Sequence, residues 1–184
     1  MRLIAKAMLL IVGIAVYGAL GEHDRGEGGM IVNIIVVAFL TFVATVAHES
    51  GHAIAVLAVK GRVQAVMAIP VEIRFRPTRL MRASRSGHGD LGGFVRYSLG
   101  ARDSRWRRLA IAGAGPLANI LLSIVIGLAS GLLRDGFGQD IMIALSILSF
   151  GMAVGNLVPF KGSDGAHIVE AARQMLRASR RRVP

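Results

Sequence analysis

From Met30 to Ala47 the chain carries no charged side chain, and its only polar ones are Asn33, Thr41 and Thr45. About 18 to 20 such residues wound as a helix cross the roughly 30 Å hydrocarbon core of a bilayer. Further apolar runs lie at Leu3 to Leu20, Leu109 to Leu133 and Ile141 to Pro159. With 53% of its residues hydrophobic, the chain is too apolar for a soluble domain of its length. The fold class that follows is an all-α polytopic membrane protein. Its four transmembrane helices are expected at about 3–20, 30–59, 109–133 and 141–159, in one membrane-embedded domain covering 1–184. Arg2 and Lys6 before the first run, and Ala19-Leu20-Gly21 at its end, also fit a signal peptide. A retained span is the expectation.

The second run ends in His48-Glu49-Ser50-Gly51-His52, an H-E-x-x-H pattern. Two histidines four apart share one helix face and can hold one zinc ion, with the glutamate between them as general base. In a soluble helix such a match is often an accident of surface residues. Inside an apolar span, ionisable residues are costly and mark function. Counted from Met30, His48 lies about 27 Å along the helix, near the far interface and within reach of water. With no cysteine in the chain, metal ligands must come from His, Asp and Glu.

Charge fixes the expected topology. Lys and Arg number two before residue 20, one in 21–29, twelve in 60–108, one in 134–140 and six after 160. The positive-inside rule then puts both termini and the 60–108 segment in the cytoplasm. The net charge of +11 is thus read as topology and attraction to anionic lipids at the cytoplasmic face. With aromatics at 5%, no nucleic-acid module is seen. His23, in the 21–29 turn, is expected to be solvated.

Val63, Ala65, Met67, Ile69, Val71, Ile73 and Phe75 alternate with Arg62, Gln64, Glu72, Arg74 and Arg76. Period two predicts a strand, which Pro70 confines to an edge or bulge. Residues 87–93 read as a turn and Phe94 to Leu99 as a partner strand, within a β segment at about 62–99. This small cytoplasmic-side sheet either covers the membrane face or offers an edge to an extended substrate. Gly113, Gly127, Gly131, Gly151 and Gly155 read as helix-packing residues. Pro116 and Asn119, inside the third span, need a partner or a role. From Ala166 onward, Ile168, Val169, Ala172, Met175 and Leu176 fall on one side and the arginines elsewhere. That pattern suggests an interfacial amphipathic helix at about 166–182, held by anionic headgroups or simply solvated.

A catalytic zinc usually takes three protein ligands and a water. Six residues past His52, where soluble zincins often add a histidine, stands Ala58. Asp164, just past the fourth span, ranks first for the third place. Glu72, spaced for a ligand but set in the alternating strand, and His88, Asp90 and His167 remain alternatives. H-E-x-x-H in a span, then Gly115-Pro116-x-x-Asn119, then Asn156-x-x-Pro159-x-x-x-x-Asp164-Gly165, resembles the site-two protease family. The likeness runs from about Met30 to His167. It implies that His48, His52 and Asp164 bind one zinc ion, that Glu49 is the base, and that Asn156 holds the substrate or its oxyanion. Asn119, Pro116 and Pro159 would line the site.

The resemblance also implies proteolysis of transmembrane substrates, in a prokaryotic plasma membrane, by a minimal form without PDZ or C-terminal regulatory domains. Ser163 before the aspartate, Ala166 after Gly165 and Lys161-Gly162 depart from the family pattern and point to a different substrate groove. A cation transporter would use the ligands but not Glu49, and a non-catalytic scaffold would need neither. Substrate identity and oligomeric state are not written in the sequence.

Overall fold

A computed structural model describes residues 2–21, 29–75, 77–82 and 92–180. His23, His88, Asp90 and residues 181–182 lie outside them. The described chain forms α1 (Arg2–Gly21), α2 (Gly29–Ala58), β1 (Arg62–Ala68), β2 (Val71–Arg74), β3 (Arg79–Arg82) and β4 (Gly93–Ser98). A short 3-10 turn, Gly100–Arg102, follows, and then α3 (Arg105–Ser130), α4 (Phe137–Leu157) and α5 (Asp164–Arg180). Three of these helices, α2, α3 and α4, are long and apolar enough to cross a membrane. The first adds a shorter apolar stretch, Leu10–Gly21. The fold is thus mostly helical, with a small antiparallel sheet.

Small residues set the helix crossings. A methyl group on Gly51 of α2 would stand 2.5 Å from the Ala114 carbonyl oxygen of α3. On Gly151 of α4 it would overlap Val12 of α1, and on Gly127 of α3 it would press on Ser146 of α4. These glycines let backbones approach as closely as membrane helices require. Gly113 and Gly155, expected in the same role, meet nothing within 4 Å. Ser123 and Ser146 join α3 to α4 by hydrogen bonds of 2.8 and 3.1 Å. Val16 and Leu20 of α1, Leu40 and Ala44 of α2, and Ala144 and Leu145 of α4 form the apolar core.

The sheet differs from the expectation. Residues 62–75 are not one edge strand. Ala68 pairs with Val71 across Ile69-Pro70, so the run folds into a hairpin with a two-residue turn. Such a turn reverses the parity of the faces. Met67 stands opposite Glu72, and both are buried, whereas Ile73 pairs with Val66 and faces outward. The strand order is β3-β2-β1-β4, so β1 and β2 are interior. The strand expected at Phe94 to Leu99 is β4, paired with β1. Among the described residues the sheet ends at β3 and β4.

The last helix packs against α3. Asp164, its first residue, hydrogen-bonds His48, and a methyl group on Gly115 would touch His48 and His52. Ten residues later, the Gln174 carbonyl accepts a 3.0 Å hydrogen bond from Nη1 of Arg105, which lies ten residues before Gly115. Thus α5 runs antiparallel beside the first half of α3, over about 15 Å.

Candidate metal centre

Helix α2 presents His48, Glu49 and His52 on its buried side. The Nε2 atoms of the two histidines are 3.2 Å apart, with their rings nearly perpendicular at 82°. Asp164 completes a triangle, its Oδ2 lying 2.9 Å from His48 Nε2 and its Oδ1 3.3 Å from His52 Nε2. Three metal bonds of about 2.0–2.2 Å at tetrahedral angles separate ligand atoms by about 3.3–3.6 Å. The three side chains therefore form a group able to hold a metal ion. Space is kept for it by the absence of a side chain on α3. A methyl group on Gly115 would stand 2.3 Å from His52 Nε2 and 2.7 Å from His48 Nε2.

The groups behind the histidines set their tautomers. His52 Nδ1 lies 2.7 Å from the Ile111 carbonyl oxygen, which can only accept. Nδ1 therefore carries a proton, and Nε2, which faces Asp164, offers its lone pair to a metal once its own proton has left. Asn119, fully buried on α3, puts its amide 3.4 Å from His48 Nδ1, and its Oδ1 has no hydrogen-bond partner. Its amide oxygen and nitrogen exchange places by a half-turn. With the oxygen toward His48, the buried acceptor is satisfied and Nδ1–H is engaged, which leaves Nε2 of this ring as the atom that faces Asp164 and would bind a metal. Pro116, one turn before Asn119, is fully buried. It lacks the N–H that would bond the Ala112 carbonyl, which loosens α3 beside the histidines.

Burial pushes the Asp164 carboxyl up, but hydrogen bonds from His48 and His52 outweigh it and hold it at about 2. It is thus anionic at neutral pH, as a ligand must be. Ser163 fixes the turn before it. Its hydroxyl donates to the carbonyls of Val158 and Phe160, and its oxygen accepts from the backbone N–H of Ala166.

A cavity of about 700 Å³ opens beside the triangle. Glu49, the two histidines, Asp164 and Asn156 line its deep end, and Gly93 to Ser98 of β4 form one wall. His167, Glu170 and Gln174 of α5 form another, with Arg105 and Arg108 near the start of α3. The Asn156 amide donates one hydrogen bond to the Met152 carbonyl. Pro159 is exposed in the loop after α4. Of the alternatives for a third ligand, Glu72 is buried and paired with Arg74 at 2.7 Å, and His167 lies outside the triangle. The contribution of Gly93 and Gly115 escaped sequence reasoning, since a glycine carries no chemistry and its role depends on a neighbour distant in sequence.

The sequence pattern of peptidase family M50 matches residues 34–136, more than half of the chain. Comparison with curated proteins and with solved structures returns no match.

Proposed function

The chain belongs to peptidase family M50, a family of membrane-embedded metalloproteases, and from that premise we propose that it cleaves transmembrane polypeptides with zinc held by His48, His52 and Asp164. The observation that carries this reading is the triangle of ligand atoms, with Glu49 beside it at the floor of a polar cavity. A zinc ion bound there supplies a Lewis acid and brings the pKa of a water molecule toward neutrality.

The rest of the chemistry belongs to the chain. Glu49 takes the proton from the attacking water and returns it to the leaving amide nitrogen. Asn156 has a second N–H besides the one given to Met152, and it donates that hydrogen bond to the carbonyl oxygen as negative charge develops. Asn119 keeps His48 oriented. Arg105 and Arg108 mark the hydrated mouth of the cavity, which admits water to a site set within the bundle.

A helical substrate hides its carbonyls in its own hydrogen bonds and must unwind to be cut. Because β1 and β2 are interior, the strand suited to receive it is β4, which ends the sheet and lines the cavity. Main-chain pairing with β4 would hold an extended peptide beside Glu49. The chain would cross the membrane four times, with α1 as the first crossing and the sheet on the cytoplasmic side of a prokaryotic plasma membrane. All of 1–184 acts as one domain in this reading.

Glu49→Gln tests the proposal. The purified variant should keep its zinc and fail to cleave a single-span substrate. Unchanged cleavage would refute the assignment. Zinc flux that survives the substitution, with no cleavage by the wild type, would favour a transporter instead.

A further inference from the structure

The ladder between β1 and β4 decides which backbone groups of β4 face outward. The N–H of Ile69 donates to the Gly92 carbonyl at 3.0 Å, so Gly92 turns its backbone toward β1. Along a strand this direction alternates from residue to residue. Phe94, opposite Met67, and Arg96, opposite Ala65, therefore also turn to β1. Gly93 and Val95 turn their N–H and C=O to the other edge. Among the described residues no strand pairs there.

Side chains alternate as well. The side-chain direction of Gly93 is taken by Glu49, whose carboxyl carbon would stand 2.9 Å from a methyl group there. Val95 shares that face and is half-buried, and both residues line the cavity. A peptide added to this edge sets one residue opposite Gly93 and another, two positions away, opposite Val95. Residues directly opposite point to the same face, with Cβ atoms about 5 Å apart. The first thus turns its side chain to the face that Glu49 occupies. Glycine, alanine or serine leaves room there for Glu49 and the attacking water, and a leucine fills it. The second meets an apolar neighbour.

The carbonyls of the added peptide also alternate. Every second one bonds β4, and the others turn away, into the cavity that Asn156 and Asp164 also line. Only a carbonyl turned away is open to attack. In an antiparallel addition it belongs to the residue opposite Phe94, next to the one opposite Gly93. In a parallel addition it belongs to the residue opposite Gly93 itself. In both directions the scissile bond adjoins the residue paired with Gly93, and the residue paired with Val95 lies across that bond.

We infer that β4 sets the cleavage site: the bond cut adjoins a small residue seated opposite Gly93, with an apolar residue seated opposite Val95. This rests on the proteolytic reading and narrows its substrates to spans that carry a small residue at the cut.

The test moves one residue. A single-span substrate with a leucine run receives one alanine, placed in turn at successive positions. The zinc-loaded full-length protein is mixed with each, and the products are read by mass spectrometry. The cut should follow the alanine and adjoin it. A cut on its N-terminal side means antiparallel addition, and one on its C-terminal side parallel addition. The uninterrupted leucine run should be cleaved about 10²-fold more slowly. Alanine is at least as good a helix former as leucine, so unwinding does not explain such an effect. Valine, a poorer helix former but larger, should not draw the cut. Val95→Trp should keep its zinc. It should disfavour phenylalanine over alanine at the position across the bond by about tenfold more than the wild type does.

A cut that stays at one depth, or keeps another offset from the alanine, would overturn the inference and leave the proteolytic reading standing. So would equal rates with and without the alanine. If Val95→Trp does not fold, the substrate series with the wild type decides. No cleavage of any member of the series would strike the proteolytic reading and this inference together.

Discussion

Gly93, the first residue of β4, lies against the carboxyl group of Glu49. A methyl group built on Gly93 would stand 2.5 Å from Oε1 and 2.8 Å from Cγ of the glutamate. The strand that borders the cavity therefore rests on the proposed base, and only a glycine permits the contact. Gly93→Ala should push Glu49 out of line while leaving the three ligands in place. A misplacement of about 1 Å can cost around 10²-fold in rate. The variant should show that loss in kcat with full zinc content. Gly92, whose methyl group would meet nothing within 4 Å, is the control, and Gly92→Ala should cleave normally. Equal rates for the two variants would remove Gly93 from the argument.

A second glycine keeps open the space between the two histidines. The 2.3 Å separation between a methyl group on Gly115 and His52 Nε2 leaves no room for both a side chain and a straight imidazole. Gly115→Ala should therefore weaken zinc binding by about 10–100-fold or more, the range typical when the surroundings of a ligand are disturbed. Gly113→Ala, two residues away in open space, should bind as the wild type does. Competition with a chelator measures both. Undiminished affinity in Gly115→Ala would show that the histidines do not converge on that space.

Three long apolar helices and the cluster of ionisable residues on α2 were legible in the sequence for one physical reason. Charged side chains are expensive in hydrocarbon, so His48, Glu49 and His52 stood out against an apolar background. The sheet was only half legible. Period two identifies extended backbone but is blind to a two-residue turn, which reverses the faces without breaking the alternation. Ile73 and Phe75 were thus placed on the face of Met67, which Glu72 in fact shares. The amphipathic pattern of α5 was correct, yet periodicity does not say what a helix packs against. The Arg105 bond to Gln174 decides that, and it joins residues far apart in the chain. Asn119 was recognised as needing a partner, and that partner proved to be His48.

Acid should act on Asp164 in a defined window. Its carboxyl is held at about 2, below the ordinary 3.8, because the hydrogen bonds from His48 and His52 outweigh burial. A carboxyl lowered on folding stabilises the fold above its ordinary value, and the contribution is lost as pH falls toward the lowered one. In metal-free protein, the gap in thermal stability between wild type and Asp164→Asn should narrow as pH falls below about 4. Unfolding curves of the two proteins across that range would check it. A gap that widens on acidification would mean that the carboxyl is not paired as described.

Asn156 and Asp164 both border the cavity but should fail in different ways when removed. Asp164 supplies one corner of the ligand triangle, and His48 and His52 alone leave a catalytic zinc one protein ligand short. Asp164→Ala should therefore lose metal, and activity with it. Asn156 is not in the triangle, and its amide already holds the Met152 carbonyl. Its proposed task is to donate the remaining N–H to the substrate carbonyl as charge develops. Losing one such donor typically costs about 10²–10³ in rate, roughly 3–4 kcal/mol. Asn156→Ala should therefore stay loaded with zinc and cleave slowly, at a rate still measurable over long incubation. Asn156→Asp keeps the shape but replaces the donor with an acceptor, so it should be no faster than the alanine variant. Zinc content and cleavage of a single-span substrate, measured side by side for the three proteins, separate the roles. If Asn156→Ala cleaves at the wild-type rate, or releases its zinc, the residue is a packing or ligand-positioning element and the oxyanion must be met by another donor.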